Sequence, residues 1–508
     1  MSAMTRKRIG FGLGLALFVG INLLDLEPGN PAATRMASIA ALMAVWWITE
    51  AIPLFATSLL PIVSYPLLGV MSGRETAPIY INSVIFLFIG GFIIALAMER
   101  WNLHRRIALT IITSLGGGPA RIVLGFMLAS AFLSMWISNT ATAVMMTPIA
   151  LAILGEMEEA FGKERSRAFS LALLLGVAYA CSVGGIATLV GTPPNLSLAR
   201  IYEMTFPDAE PLSFGPWLLL GLPVSATMLL VIWALLTKVF FRFPSELTID
   251  SAVLRKEKDA LGPMRFEEAA VLVVFVVTAF LWVFRKPLTV GGLVVPGWSG
   301  LLPFPGLIDD GTVAMGMALL LFVLPSRDRE HGHATLAGAD TVKKLPWHIV
   351  LLFGGGFALA KGLQTSGLSA LIGEQAGGLG AMPPFVLVLV LCLGMTFLTE
   401  LTSNLATTEM IQPILASVAV TIGMHPLVLM VPAAISASCA FMMPVATPPN
   451  AIVFGSERIR IADMARVGVF INLIGALVVS TIFFTIGMHV LGIDPAGTAG
   501  PPAVGAGE

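Results

Sequence analysis

The chain has 508 residues, of which 56% are hydrophobic and 12% charged, and its formal net charge is −1. A soluble domain carries about twice that share of charge, so a water-soluble globule is excluded, and with no basic tract nucleic acid is no partner. Apolar runs at 9–24, 217–236 and 269–284 approach the ~20 residues that a helix needs to cross a bilayer, and the chain reads as an all-α polytopic membrane protein.

In chain order, MSAMTRKRIGFGLGLALFVGINLL at 1–24 joins a basic start to an apolar core, as a signal peptide does. No small-residue cleavage site follows closely, and it reads as an uncleaved first helix. Glu50, in WWITEAIPL, reads as a residue of helix packing or of an interfacial turn. The region 115–150 has two apolar arms of about 15 residues, each too short to span, on either side of Ser138-Asn139. That is the pattern of a re-entrant hairpin. A Thr-Pro-Pro-Asn step at 192–195 then interrupts the next helix, and 383–420 and 447–450 repeat the hairpin and the break. The sequence HGH at 331–333 lies in a charged loop and reads as solvated surface, not as a metal site. Cys181, Cys392 and Cys439 sit in apolar segments without metal-ligand spacing and read as buried small hydrophobes. The tail after Gly492 is rich in Pro, Gly and Ala, lacks Lys and Arg, and is expected to be disordered.

The Lys and Arg residues set an orientation. Segments 1–8, 99–106, 155–168, 238–266, 326–347 and 455–466 hold 22 of the 29. The opposite side holds six, namely Arg35, Arg74, Arg200, Arg285, Lys286 and Lys361, while Arg121 enters the first hairpin. The basic side is expected to be cytoplasmic, with the N-terminus inside and the C-terminus outside. The balance holds only if each hairpin enters and leaves on one side.

Three correspondences define an internal repeat. FLFIGGFIIALA at 86–97 matches LLFGGGFALAKG at 351–362, 265 positions on. FLSMWISNTATAVMMTPI at 132–149 matches FLTELTSNLATTEMIQPI at 397–414 with the same offset. VGTPPN at 190–195 matches VATPPN at 445–450, 255 positions on, and the missing ten residues are expected in GEMEEAFGKERSR, which the second copy lacks. The orientation makes the repeat inverted, as in secondary transporters, whose sites lie near the midplane at discontinuous helices.

A Ser-Asn tip can cap the helix that follows it, and the remaining N–H groups and positive dipole end favour an anion. The Pro-Pro steps break helices and free carbonyls, which are hard donors for a cation. Two tips facing two breaks would form one cavity with cation and anion subsites. No Lys or Arg lies in either tip or break, so bound cations and helix dipoles would supply the positive charge. Glu400 and Glu409 flank the second tip; for Glu409, in place of Val144 of the first copy, a functional role and structural pairing are both open.

WWITEAIPL, SNTAT, GTPPN, SNLAT and MMPVATPPNAIVFG resemble stretches of the divalent anion/sodium symporter family, over about residues 35–490. The resemblance implies a homodimer in the inner membrane, each protomer having about eleven transmembrane helices, two re-entrant hairpins and two broken helices. A mobile transport domain would move against a scaffold in an elevator mechanism. It divides the chain into scaffold helices with an interfacial helix at 1–113 and 241–382, transport halves at 114–240 and 383–492, and a tail at 493–508. It implies sodium as the co-transported ion, at Ser134, Ser138, Asn139 and Gly191, and at Thr399, Thr402, Asn404 and Ala446. It places a di- or tricarboxylate of the succinate, malate and fumarate class on Asn139, Thr140, Thr192, Pro193, Asn404, Leu405, Thr447 and Pro448. Leu405 departs from the pattern, standing where many dicarboxylate carriers have Thr. One hydroxyl donor is lost there, worth roughly 1.5–3 kcal/mol against a charged group. A sodium-independent exchanger and a carrier of sulfate or another oxyanion are the alternatives. No hydrolase, metalloprotease or phosphate-loop motif suggests an enzyme.

Overall fold

The computed structural model describes residues 3–243, 252–290, 293–328 and 334–494. The HGH stretch and the tail from 495 lie outside these residues. The apolar segments are helices, because in hydrocarbon each backbone N–H and C=O must be satisfied within the segment. Among the described residues, seven helices are long and apolar enough to cross a membrane. They become eight if Trp347–Thr365 and Leu368–Gln375, bent by 76°, count as one span. The bend falls at Gly367, whose φ of +77° suits glycine. Two short antiparallel strands, Leu288–Val290 and Leu293–Val295, pair Leu288 with Val295, a departure from an all-α chain.

The N-terminal helix Ala3–Asn22 packs along Pro31–Thr49. The latter ends at Glu50, which is left-handed (φ +50°) and lies 3.9 Å from Arg6, so Glu50 sits at a helix end.

The first hairpin is Pro119–Ser134 followed by Asn139–Phe161, of 16 and 23 residues, and the second is Pro384–Thr399 followed by Asn404–Thr421, of 16 and 18. The arm Asn139–Phe161 is therefore longer than the sequence suggests and reaches spanning length. Its final turns run on through the charged stretch 156–159 and stop only at Gly162, at φ +82°.

Lys163–Ile186 breaks and resumes as Pro193–Thr205, and Leu427–Ala437 breaks and resumes as Pro448–Phe454. Each second piece starts at a proline, whose missing N–H costs nothing at a first helical position. The paired elements of the two copies also differ in length. Leu427–Ala437 has 11 residues against 24 in Lys163–Ile186, while the second break, 438–447, is longer than the first, 187–192.

Lys163–Ile186 is the centre of the molecule, buried at every residue from Phe169 to Ile186. The first hairpin packs tightly on it, and a Cβ on Gly184 would overlap the Ala131 backbone. Small residues at such crossings let helices approach without a hydrophobic driving force. Helix Phe266–Val283 displays Val273, Val276 and Phe280, each more than half exposed; lipid tails suit such a face and water does not.

Ion pairs sort into two groups. Arg6–Glu50, Arg100–Asp340, Arg105–Glu257, Arg106–Glu268, Arg167–Asp463 and Arg458–Glu158 connect the Lys/Arg-rich segments to one another or to a helix end beside them. Arg285–Asp310 and Lys286–Glu210 hold two of the basic residues assigned to the opposite side.

Candidate functional site

In the first copy, the hairpin turns through Met135–Ile137 and Ser138 caps the second arm, its Oγ accepting from Ala141 N at 3.2 Å. Asn139 is the first helical residue, and its Oδ1 lies 2.5 Å from Ser134 Oγ. The same Ser134 Oγ is 2.7 Å from the Cys181 carbonyl. A hydroxyl has a single proton, so one of these two oxygen–oxygen contacts has no proton in it. Gly185 and Gly191 close the cluster. A Cβ on Gly185 would stand 2.8 Å from Asn139 Oδ1 and 2.9 Å from the Gly191 carbonyl. Only glycine admits this approach.

The second copy repeats the arrangement. Thr399 Oγ1 lies 2.5 Å from Asn404 Oδ1 and 3.0 Å from the Ala437 carbonyl. Ala437 is the last residue of its helix, where a C=O has no intrahelical partner and the dipole is negative, and Cys181 lies one turn further back from its break. Two clusters of proton-poor oxygens at two helix C-terminal ends suit a hard cation, and broken transporter helices use such carbonyls in this way. Ser134 and Thr399 are fully buried. Thr402 does not join the cluster by any hydrogen bond of its own. Its Oγ1 is 2.6 Å from Thr407 Oγ1 and donates to the Leu398 carbonyl at 2.9 Å, inside its own hairpin. Ser403 is the counterpart of Ser138, at the N-cap but without a side-chain cap bond.

Each hairpin packs on the broken helix of the other copy, Asn404–Thr421 against Pro193–Thr205 and Asn139–Phe161 against Pro448–Phe454. Thr192 Oγ1 lies 3.5 Å from Ser438 Oγ and brings the two breaks together. Tyr179 donates to the Phe441 carbonyl at 2.8 Å and ties the first broken helix to the second break. Thr192 and Thr447 are buried, Pro193 is half-buried, and Thr140 and Pro448 are exposed. Thr447 Oγ1 accepts from Asn450 N at 3.3 Å. Leu405 is 6% exposed and packs in the core, whereas Thr140, its counterpart in the repeat, is open. The two tips are therefore not equivalent: one exposes a hydroxyl, and the other buries an apolar side chain.

Three features escape sequence reading. The carbonyls of Cys181 and Ala437 have no residue-type signature. Asn195 and Asn450, which close the two Thr-Pro-Pro-Asn motifs, staple the breaks, Asn195 Nδ2 donating to the Thr188 carbonyl at 2.8 Å and Asn450 Nδ2 to those of Ala440 and Met443 at 3.1 Å. Their presence in both copies was the available signal. Glu400 supports the longer second break. Its Oε1 accepts from Phe441 N (2.6 Å), Met442 N (2.8 Å) and Asn472 Nδ2 (2.8 Å), and its Oε2 from Met443 N (3.0 Å). Consecutive N–H groups of this kind form an anion-binding nest. The shorter first break needs no carboxylate. There Thr188 Oγ1 donates to the Met135 carbonyl at 2.5 Å and accepts from Gly191 N at 3.0 Å, and Met135 is the counterpart of Glu400.

Comparison with known proteins agrees with this architecture. Residues 9–493 match the model of the sodium:sulfate symporter transmembrane region. A sodium-dependent dicarboxylate transporter of Staphylococcus saprophyticus is 43% identical over 493 residues, covering 96% of this chain and 92% of that protein. Its counterpart in Staphylococcus aureus strain MRSA252 is 43% identical over 497 residues, covering 96% and 93%. Among solved structures, MtrF of Neisseria gonorrhoeae, described as one of a class of antimetabolite efflux pumps, superposes with a TM-score of 0.56 at 14% identity, covering 93% of this chain and 98% of that one. The YdaH transporter of Alcanivorax borkumensis gives 0.55 at 14%, covering 89% and 99%. At such identities the likeness is one of fold. The protein is a transporter and not an enzyme: by its sequence over nearly its whole length, it belongs to the divalent anion/sodium symporter family.

Proposed function

We propose that the chain couples sodium entry to uptake of a small di- or tricarboxylate of the succinate, malate and fumarate class. The observation that carries this reading is the duplicated cluster, Ser134–Asn139–Cys181 carbonyl and Thr399–Asn404–Ala437 carbonyl. The staphylococcal relatives, which are sodium-dependent dicarboxylate transporters, support it. One sodium binds at Ser134, Ser138, Asn139 and Gly191, and another at Thr399, Thr402, Asn404 and Ala446, partly through backbone carbonyls, while the Thr402 hydroxyl braces the second tip through Thr407. Each ion draws its proton-poor oxygens together and orders its tip. The dicarboxylate then binds across Asn139, Thr140, Thr192 and Pro193 on one side and Asn404, Thr447 and Pro448 on the other. With no Lys or Arg in the tips or breaks, the positive charge comes from sodium and from the N-terminal ends of the second arms. The substrate-free, sodium-free site therefore holds the anion poorly.

In this reading the two hairpins are re-entrant, and with the two broken helices they form a transport domain that moves in an elevator-like way against the remaining helices. There are about eleven membrane helices in each protomer of a homodimer in the inner membrane, with the N-terminus cytoplasmic and the C-terminus outside. Proteoliposomes given an inward sodium gradient, with and without internal unlabelled dicarboxylate, test the coupling. Labelled succinate uptake that needs sodium and no preloading is expected. Uptake that needs preloading and ignores sodium would make the chain an exchanger, and uptake of sulfate alone would move it to the oxyanion carriers.

A further inference from the structure

Glu409 plays no part in the site described above, yet it is the least satisfied ionisable group among the described residues. It lies in the second arm Asn404–Thr421, is 0% exposed, and neither carboxyl oxygen has a hydrogen-bond partner. No ion pair reaches it among the described residues, and no group of acidic or metal-ligating side chains surrounds it there. The Ser197 hydroxyl of Pro193–Thr205 faces it and is itself buried without a partner. On the other side its carboxyl fills the space above Gly356 of Trp347–Thr365, where any Cβ would overlap Glu409 Oε2 and Cδ.

The helices packed around this arm supply no counter-charge. Pro193–Thr205 carries Arg200, Tyr202 and Glu203, and Arg200 is paired with Glu203 at 3.0 Å. Trp347–Thr365 carries an exposed His348, and Lys361, which donates to Gln364 at 3.2 Å. Leu368–Gln375 carries an exposed Glu374, Pro31–Thr49 carries Arg35, which donates to the Leu68 carbonyl, and Pro384–Thr399 carries the buried thiol of Cys392. Leu427–Ala437 has no ionisable residue.

A bare carboxylate in such a place costs several kcal/mol or more, whereas a carboxylic acid brings one donor of its own. We propose that Glu409 is a proton-binding site, occupied while the second hairpin rests against Gly356, and that its proton is released to water when the hairpin leaves that helix. The acid dissociates to carboxylate and one proton, with no other reactant. The proposal rests on the transport reading above only for the motion. Its chemistry stands on the burial of Glu409 and on the absence of a charged partner among the described residues. Transport then depends on a proton bound by the protein in addition to sodium, and high pH disfavours the docked conformation.

Two measurements on the purified full chain test this. Infrared difference spectra of wild type and Glu409→Gln at neutral pH should show the carbonyl stretch of a protonated carboxylic acid in wild type alone. Sodium-driven uptake is then followed from about pH 7 to 9, where a small dicarboxylate is already a dianion. Wild-type uptake should fall by up to about tenfold for each pH unit above the titration of a single required proton, and Glu409→Gln should flatten the profile. If Glu409→Gln does not fold, Glu409→Val, which installs the residue of the first copy, takes its place in both measurements. An acid band that is unchanged in the variant overturns the proton site, and a variant pH profile like that of wild type overturns the coupling. Should wild type fail to take up any dicarboxylate, the transport reading fails, while the spectrum still decides the state of Glu409.

Discussion

Replacing Glu400 with Gln changes one oxygen for an NH2 group at the point where the second break is held together. In the native arrangement Oε1 accepts three N–H groups, from Phe441, Met442 and Asn472, and Oε2 accepts the Met443 N–H. The best orientation of the substituted amide keeps its carbonyl at the three-donor position. Its NH2 then faces the Met443 N–H, donor against donor, so that one bond is lost and a donor is left without an acceptor, at about 1–3 kcal/mol. The other three bonds change from charge-assisted to neutral, about 1 kcal/mol each. The whole change comes to about 4–6 kcal/mol, a large share of the net stability of a folded domain. Because these bonds anchor residues 441–443, just ahead of Ala446 and Thr447, the second cation site loosens as well. Glu400→Gln should lower the thermal unfolding midpoint in detergent by several degrees and raise the sodium concentration needed for half-maximal uptake. The first copy, closed by Thr188, should be untouched. A variant with wild-type melting and wild-type sodium dependence would refute the role given to the carboxylate.

Ser134→Ala and Thr399→Val each remove one oxygen from a cluster, and each should weaken apparent sodium affinity by about tenfold, the equivalent of about 1.4 kcal/mol, in a sodium titration of uptake. Gly185→Ala places a Cβ 2.8 Å from Asn139 Oδ1 and should abolish uptake, whereas Gly155→Ala, with no atom within 4 Å of its new Cβ, should transport like wild type. Thr140→Val should raise the KM for dicarboxylate, because Thr140 is open. Leu405→Thr should bring no gain in succinate selectivity and should lower the melting temperature, because its hydroxyl would be buried at a cost of about 1–3 kcal/mol. Competition and melting assays on the two variants separate these outcomes.

The parts of the site legible in the sequence are those where a polar step interrupts an apolar run. Ser138-Asn139, Ser403-Asn404 and the two Thr-Pro-Pro-Asn motifs stand out because a helix in lipid has no other reason to stop there. The repeat offset points to Ser134 and Thr399 as equivalents, and the structure gives both the same contacts with an Asn Oδ1 and a backbone carbonyl. What stays hidden depends on backbone geometry. Cys181 contributes its carbonyl and not its thiol, and Gly185 matters because of what lies 2.8 Å beyond its missing Cβ. The length of Asn139–Phe161 was hidden because a charged stretch that reads as a loop continues the helix. Leu405 occupies the repeat position of Thr140, but equivalence in sequence did not carry over into equal exposure. Glu400 is noticeable as a carboxylate among apolar neighbours, yet its partners are three amides some forty positions away in a break whose length the repeat alone does not give.

Equilibrium binding of labelled succinate to the purified protein, in sodium and then in equimolar potassium, tests most directly whether the paired oxygen clusters assemble the anion site. The account expects saturable binding in sodium and none in potassium, with Ser134→Ala and Thr399→Val shifting the sodium requirement. Equal binding in the two salts would contradict it, because the tips would then accept the anion without a cation beneath them.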